Sequence, residues 1–138
     1  MSTLLLNTLT GKTSAGSIVV TGEGGSTSTN LQQGVAKAWA QTDQDTENEH
    51  RDSFNMGAIT DNGTGDITLA FTNSMSNNDY CYSGSNGNDT VSTASIVMNR
   101  PGTFATGSIR FTSNYATGSA AGAYDADAMS SCIHGDLA

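Results

Sequence analysis

Two runs of alternating apolar residues, one on each side of a glycine-rich turn, constrain this chain more than any other feature. Apolar residues occupy every second position before and after the turn: Phe54, Met56 and Ala58, then Ile67, Leu69 and Phe71. Because successive side chains of a strand point to opposite faces, this spacing predicts strands that are buried on one face. The intervening Asn62-Gly63 tolerates positive φ and predicts a hairpin reversal. The sequence therefore predicts an antiparallel β protein.

The composition agrees with a chain of short strands and tight turns. Of 138 residues, 36 are Ser or Thr and 16 are Gly. No window of about 12 or more residues has apolar side chains at helical spacing. Disorder is the alternative for so polar a chain, but the alternating segments carry aromatic and β-branched residues that a disordered chain lacks. We expect one domain with a small appendage.

The charge and the apolar pattern exclude several function classes. A net charge of −8 with only five scattered Lys and Arg residues disfavours nucleic acid as a partner. No apolar run is long enough to span a membrane, and the start of the chain has no basic leader. We therefore expect a protein that is made in a cytoplasm, stays soluble there and needs no cofactor.

The chain divides near Gly34 into an N-terminal arm, residues 1–34, and a main domain, residues 35–138. The arm has two runs of consecutive apolar residues, which indicates cover on both faces. So short an arm cannot supply that cover itself, which favours identical arms or a larger host surface. The alternative is that both runs add edge strands to the main domain. The residues expected to make docking or oligomer contacts are Leu4, Leu5, Leu6, Ile18, Val19 and Val20.

The main domain is predicted to be a jelly-roll-like β-sandwich. Only about two dozen large apolar side chains are available to fill it. Such a core barely offsets the cost of ordering the backbone, so we expect an obligate oligomer. The predicted strands are Val35–Gln41, Phe54–Thr60, Ile67–Asn73, Asp79–Ser83, Val91–Asn99, Gly107–Ser113 and Ser130–His134.

No pattern predicts catalysis or a metal site. The acidic segment from Gln41 to His50 is interpreted as a solvated, mobile loop, because its spacing matches no calcium loop. Turn formation accounts for every residue of the segment from Asp61 to Asp66. His50 is expected to be solvated, with its protonated form favoured by the nearby carboxylates, and His134 to be structural. The chain has no GxSxG nucleophile elbow.

The cysteines and aromatic residues allow more than one interpretation. Without a secretion signal, Cys81 and Cys132 are expected to be reduced and buried, although one disulfide is the open alternative. Trp39, flanked by alanines, is interpreted as a packing anchor. Tyrosine suits recognition surfaces, and the candidates for surface recognition are Tyr82, Tyr115 and Tyr124. The alternative for Tyr80 and Tyr82 is that both face the core or a subunit contact.

Several segments together resemble small tail-fibre-like virion proteins of marine bacteriophages. They are LQQGVAKAW at Leu31–Trp39, RDSFN at Arg51–Asn55, TDNGTGD at Thr60–Asp66, the following ITLAFTNSM, and the closing HGDLA. The opening TLTGKTSAGSIVVTGEG also resembles the short β-rich leaders of such proteins.

This resemblance implies a structural role in the virion and a homotrimer that contacts other virion proteins. It implies no catalytic or binding residues. The chain is short for a whole fibre, so a small adaptor, a head fibre or a capsid decoration protein remain alternatives. Two further hypotheses are an adhesin that binds a host surface glycan and, more remotely, a glycan-cleaving spike.

Overall fold

The chain forms two compact units, Met1–Val35 and Ala36–Ala138. The computed structural model describes residues 4–13, 18–22, 24–87, 94–116 and 119–138. Within these residues the fold is mostly antiparallel β-sheet, as the sequence predicts. No helix in the described ranges is long and apolar enough to cross a membrane.

The first unit is a small hairpin with one helical turn. Strand β1 (Val19–Thr21) pairs antiparallel with β2 (Ser28–Asn30) across a turn that contains Gly24 and Gly25, both at positive φ. Helix α1 (Leu31–Gly34) follows directly. The side chain of its N-cap residue, Asn30, accepts hydrogen bonds from the backbone N–H groups of Gln32 and Gln33.

Residues 4–13 contain no strand. The prediction of a β-arm is therefore wrong for the leucines at positions 4–6, whereas the second apolar run does contribute to β1. A strand that packs on one side needs apolar residues at alternate positions. Three consecutive leucines lack this alternation, so they give no single apolar face to pack against the small hairpin of this unit.

The second unit has two sheets. The first sheet has the strand order β4-β3-β11-β7, and the second has the order β5-β6-β9-β8. Strand β10 pairs with the end of β9 that extends beyond β6, on the same edge as β6. All pairs are antiparallel. The strands are β3 (Ala38–Asp43), β4 (Glu49–Phe54), β5 (Met56–Gly63), β6 (Asp66–Phe71), β7 (Cys81–Gly87), β8 (Ala94–Ala105), β9 (Ser108–Ala116), β10 (Ala121–Ala123) and β11 (Ala128–His134).

One core cluster draws side chains from both sheets. As predicted, Ile67, Leu69 and Phe71 of β6 are buried, and Ile109 and Phe111 of β9 join them. The first sheet contributes small or flexible side chains together with one isoleucine, so the core is thin on that side. These residues are Ala38, Ala40, Met129 and Ile133.

Each predicted strand of the second unit overlaps an observed one, but the ends differ. The strand predicted at Val35–Gln41 begins at Ala38 and continues to Asp43. For Val91–Asn99, residues 91–93 lie outside the described part, and β8 continues to Ala105. Strand β10 and nearly all of β4 were not predicted.

A single residue carries the chain from the first sheet to the second. The strand predicted over Phe54–Thr60 is broken at Asn55, which has φ +56° between β4 and β5. Asn55 Nδ2 donates to the carbonyls of Lys37 (2.9 Å) and Asn73 (3.1 Å), and Asn55 Oδ1 accepts from the backbone N–H of Asn73 (2.7 Å). Asparagine adopts this backbone conformation more readily than most residues, and these bonds hold it there.

The tip of the β5–β6 hairpin lies two residues beyond the predicted Asn62-Gly63 turn. Gly63 pairs with Asp66, so Thr64 and Gly65 form the reversal. The Gly65 carbonyl accepts from the backbone N–H of Ser113 (2.7 Å), and the Gly65 N–H donates to Asp125 Oδ1 (2.7 Å). These contacts to neighbouring segments add to the positive φ of Gly65 in holding the tip in place.

Candidate functional site

Among the residues whose burial the structure describes, the most exposed apolar side chains are in the first unit. Leu5 is 88% exposed and Leu4 80%, and Leu6, Leu9, Val19 and Val20 are also more than half exposed. Ile18 is half-buried, and its carbonyl accepts a hydrogen bond from the backbone N–H of Leu31 (2.9 Å). An apolar segment of this kind favours contact with another surface.

The solvent-facing side of the first sheet, called the outer face throughout, has two transverse rows of side chains, with Cys81 and His134 beside the first row. The strand register places Trp39 opposite Phe54 on one side and opposite Cys132 on the other, and Cys132 opposite Ser83. The second row, two residues along each strand, consists of Asp52, Gln41, Ser130 and Ser85.

The aromatic pair on this face differs from what the sequence predicts. Trp39 is 37% exposed and Phe54 is 52% exposed, so Trp39 is not a packing anchor of the core. The reason is the break at Asn55. It separates Phe54 from the buried Met56 and leaves Phe54 on the solvent side of β4. The pairing could not be predicted because β4 itself was not recognised.

A shallow depression of about 370 Å³ lies between β7 and β11 on this sheet. Four of its residues have side chains on the outer face: Ser83, Ser85, Ser130 and Cys132. The other two are Gly84 and Ser131. Gly84 has no side chain, and the Ser131 hydroxyl is buried and donates to the carbonyl of Ala40. Both therefore contribute backbone atoms. The depression is rich in hydroxyl groups.

The two cysteines are free, as expected, but neither is buried. Cys81 is exposed on β7 and Cys132 is half-buried on β11. Cys132 Sγ lies 3.5 Å from Nε2 of His134, and the register places His134 opposite Cys81. The prediction of buried thiols is wrong because both residues alternate with inward-facing neighbours and so lie on the outer face. In the described ranges no three His, Cys, Asp or Glu side chains are grouped as metal ligands.

Two of the four tyrosines pack inward, as the alternative interpretation expects. Tyr82 lies over Phe111 with ring centroids 4.5 Å apart, and its hydroxyl is buried. Burial raises the pKa of the Tyr82 hydroxyl. The prediction that Tyr82 acts in surface recognition is therefore corrected, because it packs against the core. Tyr80 is buried as well.

Tyr115 and Tyr124 are brought together by the strand order. Their ring centroids are 6.1 Å apart in an edge-to-face arrangement, and both residues are half-buried. The hydroxyl of Tyr124 is buried and has no hydrogen-bond partner among the described residues. A recognition role for this pair remains a prediction.

The acidic segment is more ordered than predicted at both ends. Asp43 is buried, and its carboxylate accepts from the backbone N–H groups of Asp45 and Thr46 and from Arg51 Nη2 (2.8 Å). The bond from Thr46, supported by Arg51, lowers the pKa of Asp43 against the effect of burial. The carboxylate of Asp43 therefore stabilises the turn that follows it by accepting two of the turn's backbone N–H groups.

The charges around this turn interact with one another. Desolvation by neighbouring atoms and the carboxylate of Asp127 raise the pKa of Asp45. A hydrogen bond to Glu49, together with its charge, raises the pKa of Glu47. His50 is half-buried on β4, with Nδ1 2.9 Å from Thr42 Oγ1, and burial lowers its pKa. The expectation of a solvated histidine whose protonated form the carboxylates favour is therefore wrong, because burial lowers the pKa of His50 against a hydrogen bond with the backbone of Gly57.

Comparisons of the chain with protein-family models, with curated proteins and with solved structures find no match. What the chain does is therefore inferred from its own residues and surfaces.

Proposed function

We propose that this chain is a non-enzymatic structural protein of a bacteriophage particle, a tail-fibre-like appendage that works as a homo-oligomer, with three subunits the expected number. Residues 1–34 dock on the particle or intertwine with the same segments of sister chains. Residues 35–138 project outward as a jelly-roll-like β-sandwich. The protein is made in the host cytoplasm and resides on the virion, in contact with other virion proteins.

The exposed apolar segment of the first unit carries this proposal. A partner that covers these exposed leucines would stabilise the complex by about 25 cal/mol for each Å² of apolar surface removed from water. The first unit, Met1–Val35, is below the size at which a chain builds its own core. A second chain or the particle surface is therefore the physically reasonable source of cover.

The thin core of the second unit supports self-association. Its inner faces include small and polar side chains such as Ala38, Thr42 and Ser113, all fully buried. Such residues contribute little hydrophobic stabilisation when buried. Burial between subunits adds the missing area and couples stability to assembly. The shared core cluster of the two sheets supports the sandwich arrangement.

Substitution of the three leucines tests the docking role. Replacing Leu4, Leu5 and Leu6 together with serine should abolish co-sedimentation of the chain with phage particles, because the apolar contact is lost. The matched control replaces the same three residues with methionine, which keeps the apolar surface and should incorporate normally. Normal incorporation of the serine variant would contradict the proposal.

Light scattering of the full chain and labelling on intact particles complete the test. A trimer mass supports the fibre-like assembly, and a stable monomer contradicts it. Label at the tail supports the appendage, whereas label distributed over the head favours the alternative of a capsid decoration or head-fibre protein.

A further inference from the structure

The outer face of the first sheet combines exposed aromatic surface with closely spaced hydroxyl groups. Trp39 and Phe54 form one end of the first row, and Ser83 the other. Strands in a sheet are about 4.8 Å apart, so the backbone of Trp39 lies roughly 10 Å from that of Ser83. Aromatic rings and hydroxyls are thus within reach of a single small ligand.

The second row adds further hydrogen-bonding groups beside the aromatic pair. Gln41, Ser130 and Ser85 are all exposed and lie side by side on β3, β11 and β7. A hydroxyl both donates and accepts, and an amide offers two donors and an acceptor. The depression of about 370 Å³ falls among these groups. That volume is within the range of small-ligand sites, about 300–1,000 Å³.

The charge of this face limits the ligand. The chain carries a net charge of −8, yet the eight residues of the two rows include one carboxylate, Asp52, and no Lys or Arg. An anionic ligand would be repelled by the net charge of the chain and would find no Lys or Arg among these eight residues. A cationic ligand would find only one carboxylate. The face therefore favours an uncharged ligand.

We propose that the outer face binds a neutral saccharide. A sugar ring has C–H groups on its faces, which pack against aromatic rings, and hydroxyls around its edge, which need hydrogen-bond partners. Trp39 and Phe54 supply the packing surface, and the serine hydroxyls of the depression supply the partners. This inference goes beyond the proposed virion role and does not depend on how the first unit docks.

Trp39 provides a direct readout because it is the only tryptophan of the chain. The purified full chain is titrated with cellohexaose, mannohexaose and chitohexaose while the Trp39 emission is recorded. At least one of these saccharides should give a saturable change in emission, confirmed by calorimetry. Absence of saturation with all three up to about 10 mM, a concentration that fills even a weak site, would overturn the proposal.

Two variants locate the site. Phe54→Ala should weaken saccharide binding about tenfold, the loss expected for one aromatic contact. Ser83→Ala together with Ser130→Ala should weaken it by a similar factor. The control, Thr60→Ala at an exposed position of β5 on the second sheet, should bind like the unsubstituted chain. Unchanged binding by both outer-face variants would overturn the proposal, and circular dichroism establishes that each variant is folded.

Light scattering separates a saccharide site from an interface between copies. If Phe54→Ala changes the mass of the assembly and no saccharide binds, the aromatic pair covers a second copy and the proposal is wrong. Co-sedimentation of the same variant with particles is measured in parallel. If Phe54→Ala still joins particles but no longer binds saccharide, both proposals are supported. If the Leu4, Leu5 and Leu6 serine variant fails to join particles, that result bears on the docking role of the first unit and not on the saccharide site.

Discussion

Tyr80 illustrates how one side chain holds several segments together. Its ring packs edge-on against Phe71, with centroids 5.7 Å apart, and against Phe104 at 5.0 Å. Its hydroxyl is directed at the carbonyls of Ala105 (3.1 Å) and Ser108 (3.0 Å), which flank the β8–β9 turn. The single proton of the buried hydroxyl is thus shared between two backbone acceptors beside a tight turn.

Tyr80→Phe should keep the ring contacts and leave these acceptors without their donor. We expect the free energy of unfolding to fall by about 1–2 kcal/mol, the usual cost of losing a buried hydrogen-bond partner. Chemical denaturation measures this value. The control is Tyr115→Phe, whose half-buried side chain should change the free energy of unfolding by less; an equal loss would contradict the role assigned to the Tyr80 hydroxyl.

The same hydroxyl predicts an alkaline pH dependence. Burial raises the pKa of Tyr80 from 10.0 to about 12. Because the folded-state pKa is above the unfolded value, the stabilisation is fully present below pH 10 and is lost as the pH rises through about 12. Thermal unfolding between these limits should show a steeper loss for the native chain than for Tyr80→Phe. Equal slopes would contradict this assignment.

At the level of elements, strands with a strong local pattern were predicted correctly, whereas strands that depend on long-range pairing were not. Strand β6 was predicted correctly because its alternation is strong and its buried face is continuous. Strand β4 was missed because Glu49, Arg51 and Asp52 make it too polar to show an apolar face, and only pairing with β3 makes it a strand. The Trp39–Phe54 pair depends on that register, which no local pattern contains.

The β5–β6 hairpin offers a matched pair of glycines. Gly63 (φ +121°) and Gly65 (φ +67°) both have backbone conformations that other residues rarely adopt. A Cβ on Gly63 would meet open space, whereas a Cβ on Gly65 would lie 2.5 Å from the Ser113 carbonyl oxygen and 2.9 Å from the Tyr124 nitrogen. The two positions differ in the space available and not in the sign of φ.

Alanine at each position should separate backbone strain from steric exclusion. Gly63→Ala should destabilise the protein by about 1–2 kcal/mol through strain alone, and Gly65→Ala by at least about 1 kcal/mol more, since it also displaces β9 from the hairpin tip. Urea denaturation of both variants gives the comparison. Equal effects would show that the tip can move away from its neighbours.

For the whole molecule, the sequence predicted an all-β, mostly antiparallel fold but not the sheet order. That order depends on which distant strands meet: β11 lies between β3 and β7, and the Ser131–Ala40 bond spans 91 residues. No turn or alternation near either strand contains this information.

A fragment that begins at Ala36 should fold without the first unit. The core-cluster residues in the described part of the chain all lie at or beyond Ala38, so the fragment retains every one of them. Circular dichroism should show an intact β spectrum with a cooperative thermal transition. The same fragment with Ile67→Asp, which places a charge in the core, provides an unfolded reference. A fragment that resembles this reference would show that the second unit depends on the first.

The position of β11 also has a consequence for how the protein is made. Every other described strand is synthesised before β11, yet β11 joins β3 and β7 into one sheet. Until it emerges from the ribosome, the nascent chain holds two unpaired strand edges in the first sheet, and these can capture the edges of neighbouring nascent chains. Slow translation just before Ala128 would prolong that state, and a chaperone that shields strand edges would be needed most during that interval.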